Sequence, residues 1–312
     1  MKLRPSENNK LYGMNHFFNE LVSLYKENKM PTKILLSGKK GLGKSTLAYH
    51  FINYILSENE DLKYDLKEFV INKNNRSFKL LQNNSHPNFY LIDLLNEKKN
   101  IDVAQIREMI KYTNKSTFNN MPQFILIDNI ENLNKNSINA LLKVTEEPNE
   151  NVFFILINNI EQNILPTLKS RFLIFKINFT FDESINITNK ILDKNILDLI
   201  NYDLISYYNS PGEIINLINF SIDKKINLKD YTLINFLTFI IDNGYYKKNK
   251  LIKNLLINFI ELFFLKEYKL SNSKNSLINF YHIFITKIHN TEKFNLDEES
   301  LFLEFKSKLL NG

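Results

Sequence analysis

Two periodicities alternate through the first 180 residues. Short apolar runs, KILLSG (33–38), NFYLID (88–93), QFILID (123–128), VFFILIN (152–158) and FLIFKI (172–177), are separated by longer stretches with apolar residues at helical spacing. A short, nearly continuous apolar run is what a strand covered on both faces requires. The pattern therefore predicts an α/β domain: a five-stranded parallel sheet with helices on both faces. Helices are expected from about 44 to 57, over DVAQIREMIKYTNK (102–115), and over KNSINALLKVTEE (135–147), the last stopped by Pro148. Beyond residue 178 the strand-like runs cease, and INFLTFIIDNG (234–244) and LIKNLLINFIELFFLKEY (251–268) carry helical spacing. We read three domains: 1–178 α/β, 179–222 a small helical domain, and 223–312 a helical bundle. The asparagine-rich patches INKNNRSFKLLQNNSHP (71–87) and NEKKN (96–100) read as surface loops, the first with room for an ordered helix.

Composition narrows the class. The chain of 312 residues has no cysteine, which excludes structural disulfides and Cys-ligated zinc and fits a reducing cytoplasm. The opening MKLRPSENNKLYG lacks an apolar run, so no signal peptide is expected, and the apolar stretch at 256–268 is broken by Asn258 and Glu261 and is too short for a bilayer. A soluble protein is expected, with no membrane partner. The formal charge of +6 permits a nucleic-acid partner without requiring one. Of 40 basic residues only Arg4, Arg76, Arg107 and Arg171 are arginine, which marks each as a candidate for work that needs a planar, permanently charged group.

The densest chemistry is GKKGLGKST (38–46), where Gly38, Gly43, Lys44 and Ser45 fit the spacing of a phosphate-binding loop after a strand and before a helix. Gly38, Gly41 and Gly43 let backbone N–H groups face phosphate oxygens, Lys44 reaches the terminal phosphates, and Ser45 with Asp128 holds Mg2+; Thr46 follows on the same helix. The expected cofactor is ATP with Mg2+. Directly after Asp128 stands Asn129, an amide that cannot accept a proton from attacking water. Glu131 is two residues further on and is expected to point elsewhere unless the turn is unusual. Binding without efficient turnover is the natural reading.

In order, LYGMNHFFNELVSLYKENKMPTKILLSGKKGLGKSTLA, HPNFYLID, IDVAQIREM, FILIDNIENLNKNSINALLKVTEEPNENVFFILINN and ILPTLKSRF resemble the AAA+ clamp-loader subunits of bacterial DNA polymerase III, most of all those of delta-prime type. The resemblance covers residues 1 to about 178 and fades through NSPGEIINL. It implies an AAA+ P-loop domain, a helical lid and a C-terminal collar. It further implies a hetero-pentamer with motor (gamma/tau) and delta subunits that loads a ring-shaped sliding clamp on primer–template DNA. In such spirals each ATP site receives an arginine from its neighbour's Ser-Arg-Cys motif. Ser170 and Arg171 match that motif and Phe172 replaces its cysteine, so Arg171 is implied as an arginine finger acting in trans. Asn158 falls at the family's sensor position.

Two departures follow from the same comparison. Glu213 stands in SPGEI where ATP-hydrolysing relatives carry a lid arginine, and the four cysteines of the family's zinc module are missing, so residues 57–85 are expected to be held by packing alone. A subunit that completes a neighbour's site, a stator, fits this combination best. The alternatives are an ATP-hydrolysing motor subunit, or related DNA-acting AAA+ ATPase, and a small-molecule P-loop kinase. Arg107 and Lys111, four apart on one helix, are candidates for following a DNA backbone or a solvated helical face.

Overall fold

The computed structural model describes every residue except 1–3, 96, 97, 99, 116, 117, 147–150, 160–165, 207, 248, 271–273, 295, 311 and 312. It divides into two compact units, Met1–Ile191 and Leu192–Gly312.

The first unit is built on β1 (Lys33–Gly38), β2 (Phe89–Ile92), β3 (Gln123–Ile127), β4 (Val152–Asn159) and β5 (Leu173–Lys176), at the five places where apolar runs predict strands. They form one sheet in the order β2-β3-β4-β1-β5, and every pair is parallel. Alternation along the strands separates two cores. Ile34, Leu36, Phe124, Leu126, Ile155 and Ile157 face one side. Leu35, Ile125, Ile127, Phe154 and Leu156 face the other. The first face is covered by α1 (Asn15–Lys26) and α2 (Lys44–Leu56), which bury Phe18, Leu21, Phe51 and Ile52 against it. On the second lie α4 (Val103–Thr113) and α5 (Lys135–Glu146), through Ile106, Met109 and Leu141. Each such side chain contributes about 1.5–3 kcal/mol when removed from water. α4 begins where Asp102 and Gln105 form a reciprocal capping box. α5 ends its described span at Glu146; Pro148, expected to stop it, lies outside the described residues.

Residues 71–87 are not merely loop: they contain α3 (Arg76–Gln82), capped by Asn75, whose Oδ1 accepts from the Phe78 N–H at 2.7 Å. Nor is packing alone what holds residues 57–85. Tyr64, Ile71, Phe78 and Leu81 do join the core. Buried hydrogen bonds tie the same segment down: Asn53 Nδ2 donates to Asn75 Oδ1 (3.0 Å), and Asn75 Nδ2 to the Leu62 carbonyl (2.7 Å). The Glu60 carboxylate accepts from the Arg76 and Ser77 amides at 2.9 and 3.0 Å and from Ser77 Oγ at 2.5 Å, a negative charge at the positive end of α3. Buried His50 bridges Tyr64 Oη (2.9 Å) and the Asn8 carbonyl (3.1 Å).

Turn chemistry follows the scarcity of glycine. Asn28, Asn84, Asn119, Asn120, Asn129 and Asn151 all adopt positive φ, the conformation that asparagine tolerates best among residues with a Cβ. In the chain's composition the asparagines therefore take over turn positions that glycine would ordinarily fill.

A short α6 (Pro166–Lys169) precedes β5, and α7 (Phe181–Leu192) ends the unit. In the second unit every described element is helical: α8 (Pro211–Lys224), α9 (Leu233–Asp242), α10 (Lys250–Leu270), α11 (Lys274–Phe294) and α12 (Glu298–Phe305), with a 3-10 turn (Leu228–Asp230) between α8 and α9. Phe220, Phe236 and Phe259 meet edge to face, and Phe264, Phe284 and Phe305 form a second aromatic cluster. Among the described residues no helix is long and apolar enough to cross a membrane.

Candidate nucleotide site

The strand order brings the carboxyl ends of β3, β4 and β1 side by side, with Gly38 of β1 in register with Asn159 of β4. Ligand sites of parallel sheets form at such ends. Residues 39–43 turn from β1 into α2, with φ of +85° at Gly41 and +91° at Gly43, where a side chain would be strained. Gly38 is required for another reason: a Cβ there would stand 2.3 Å from the Ile177 carbonyl oxygen, which cannot yield as a side chain could. The turn delivers the N-terminal end of α2, with its outward N–H groups, to the place where phosphate would lie.

Lys44 is buried, and its amine donates to the loop's own Gly38 and Lys39 carbonyls, both at 2.7 Å, and to Asn159 Oδ1 at 3.2 Å. Ser45 Oγ donates to Asp128 Oδ2 at 2.5 Å, so the structure brings together the two residues expected to hold Mg2+. An all-oxygen pair of hydroxyl and carboxylate suits that cation. Burial, assisted by the nearby Asp93 charge, pushes the Asp128 carboxyl up to about 6, against the opposing effects of Ser45, the Asn129 N–H and Lys44. A divalent cation would reverse this balance by favouring the ionised form. Thr46 Oγ1 accepts from Asn8 Nδ2 at 3.5 Å, linking the start of α2 to the N-terminal segment.

Asn129 is held in left-handed conformation at φ 55°, ψ 48°. Its side-chain amide donates to Asp93 Oδ1 at 2.8 Å, at the end of β2. From there the chain makes a single 3-10 turn, Ile130–Asn132, which swings Glu131 back toward β4. The turn is thus unusual in the sense that matters, and Glu131 does not point away: its Oε1 accepts from Asn159 Nδ2. Asn158 lies on the opposite face of β4, with Nδ2 donating to Ser37 Oγ at 3.4 Å; its buried Oδ1 has no hydrogen-bond partner among the described residues. The side chain in contact with Lys44 is therefore that of Asn159.

Arg171 stands apart from this cluster. Its guanidinium is half exposed, donating to the Thr167 carbonyl (3.0 Å) and to Glu146 Oε1 (3.1 Å). The backbone on either side is anchored by buried Leu168 and Phe172, so the aromatic ring that replaces the motif's cysteine fills the core beneath the arginine. Ser170 Oγ donates to the Thr167 carbonyl. In the second unit, Glu213 closes a capping box with Ser210 at the start of α8, and its other oxygen accepts from Asn258 Nδ2 at 3.0 Å. That carboxylate has a structural task of its own. Arg107 and Lys111 are exposed on α4, with Lys111 paired to Glu108 at 2.8 Å.

Sequence reasoning missed Asp93 and Asn159 as site residues and expected Glu131 to point elsewhere. The strand-end position of Asp93, matching that of Asp128 one strand over, was the available signal; Glu131 depends on the shape of one turn, and Asn159 on which of two adjacent asparagines faces Lys44.

A phosphate loop after the first strand, an aspartate after the third and a polar strand end on the fourth are the parts of a P-loop α/β fold, as the AAA+ resemblance implies. Comparison with known proteins agrees. A DNA polymerase III subunit delta' of Buchnera aphidicola subsp. Baizongia pistaciae is 27% identical over 192 residues, 57% of this chain and 56% of that one. For the subunit gamma of Buchnera aphidicola subsp. Schizaphis graminum the figures are 30% over 240 residues, 74% and 63%. For the subunit delta' of the same organism they are 28% over 281 residues, 85% and 81%. The matched region thus spans less than two thirds of the first two relatives. The family profile described as "DNA polymerase III, delta subunit" matches residues 13–180, more than half of the chain and the whole of the sheet with its phosphate loop, and to that family the chain belongs.

Proposed function

We propose that this chain is a clamp-loader subunit of DNA polymerase III and works there as a delta-prime-type stator: it binds ATP with Mg2+ weakly or without efficient hydrolysis and lends Arg171 to a neighbouring subunit's site. The observation that carries the reading is the Asn129 side chain, an amide committed to Asp93 where a water-activating carboxylate would stand beside Asp128. Gly38, Gly41, Gly43 and the start of α2 would hold the phosphates, with Ser45 and Asp128 on the cation; of the two asparagines ending β4 it is Asn159, not the expected Asn158, that reaches the phosphate-loop lysine. Bound Mg2+ would neutralise phosphate charge there. The half-exposed guanidinium of Arg171, on a backbone fixed by two buried neighbours, supports its service in trans, where it would stabilise charge developing on another site's phosphoryl oxygens.

The partners in this reading are motor (gamma/tau) and delta subunits in a hetero-pentamer, with sliding clamp and primer–template DNA reached through the assembly. We place residues 179–222 as its lid, 223–312 as its collar, and the protein in the cytoplasm. Steady-state ATPase tests the proposal. The isolated chain should turn over little ATP, and activity that appears on mixing with motor subunits should fall with Arg171→Ala. Vigorous turnover by the chain alone, abolished by Lys44→Ala, would establish the motor reading instead.

A further inference from the structure

Glu131, Asn159 and Lys44 form a connected line through the site: a carboxylate accepts from an amide N–H, and the same amide's oxygen accepts from the ammonium. The two charges at its ends fix the orientation of the amide, because only its NH2 can face Glu131 and only its oxygen can face Lys44. Glu131 reaches this place through the left-handed Asn129 and the single 3-10 turn after it. Its second oxygen, Oε2, is buried and has no hydrogen-bond partner among the described residues. No step of the proposed function uses it.

We propose that Glu131 is a positioning residue of the nucleotide site, acting through Asn159 to hold the Lys44 amine on the loop side of the site and away from incoming phosphate. An acceptor behind the amide keeps its oxygen turned toward the ammonium and so steadies the grip on it. To meet a triphosphate the lysine must leave Asn159 and the Gly38 and Lys39 carbonyls. Part of the binding energy is then used to open this line. The proposal rests on the reading that the loop is an ATP site; it is independent of whether Arg171 acts in trans.

The test is equilibrium binding of a fluorescent N-methylanthraniloyl ATP with Mg2+ to the full chain, with a thermal melt of each variant to establish that it is folded. Glu131→Ala should tighten binding by about fivefold, the worth of one net hydrogen bond. Asn159→Ala breaks the line at its other joint and should do the same. Glu131→Gln can keep an acceptor oxygen toward Asn159 and should bind within about twofold of the unaltered protein. Unchanged or weaker binding by both alanine variants would overturn the proposal, as would tightening by Glu131→Gln equal to that of Glu131→Ala, which would show charge repulsion rather than positioning. Lys44→Ala, expected to abolish binding in every background, separates failure of the ATP-site reading from failure of this one.

Discussion

Asn129 and Asp93 face each other across 2.8 Å, an amide on the third strand's exit donating to a carboxylate on the second's. Exchanging the two chemistries is a direct probe of what the pair does. Asn129→Glu alone sets two carboxylates against each other at a left-handed position and should cost about 2 kcal/mol in denaturant unfolding. Asp93→Asn in the same chain should return most of that loss, as a double-mutant cycle would register.

Gly38→Ala should be poorly tolerated although it adds only one methyl group. The added methyl meets the Ile177 carbonyl, so β1 and the segment after β5 must separate. A stability loss of ~1–3 kcal/mol is expected, with a larger loss of ATP affinity because the displaced backbone carries the phosphate loop.

Asn75→Ala removes the cap of α3 together with the bonds to Asn53 and Leu62. The loss should be ~2–3 kcal/mol, seen as earlier proteolysis between residues 57 and 85 as well as a lower melting temperature.

Acid should weaken the first unit through its histidines. Burial lowers His50 and His86 from 6.5 to about 4, so between those values the unfolded chain binds two protons that the folded chain refuses. Asp128 acts oppositely: raised from 3.8 to about 6, it binds in the folded state a proton that the unfolded chain has released. Between about pH 4 and 6 the difference is one proton in favour of the unfolded state, so stability should rise with pH by about 1.4 kcal/mol per unit. Asp128→Asn removes the opposing contribution and should roughly double that slope in urea titrations, while raising stability near pH 7.5, where the buried carboxylate is charged.

Glu146→Ala should leave stability within ~1 kcal/mol, since the ion pair with Arg171 is solvent-exposed. If Arg171 serves a neighbour, freeing it should raise the mixed-subunit ATPase by up to about fivefold. A fall would show that Glu146 aims the guanidinium rather than detains it.

The five strands, their order of appearance and the phosphate loop were legible because burial on both faces writes itself as continuous apolar runs, and because Gly38, Gly41, Gly43, Lys44 and Ser45 each answer a local backbone or charge requirement. α3 was hard to read because its asparagines, which signal turns, are here caps. The line from Glu131 to Lys44 was not legible. It depends on Asn129 turning left-handed, a choice that asparagine permits without announcing, and on whether residue 158 or 159 faces the lysine, which a one-residue alternation decides. The cap that Glu213 closes was legible in principle, since Ser210 and Glu213 stand at capping-box spacing around Pro211 and ahead of an apolar run.

The junction at Gly38 reaches further than one forbidden methyl. Ile177 donates its N–H to the Ser37 carbonyl at 2.8 Å while its own oxygen lies where a side chain of residue 38 would be. The root of the loop and the strand that follows Arg171 are therefore welded along a shared seam. A displacement of β5 would be felt first at the backbone from which the phosphate loop springs.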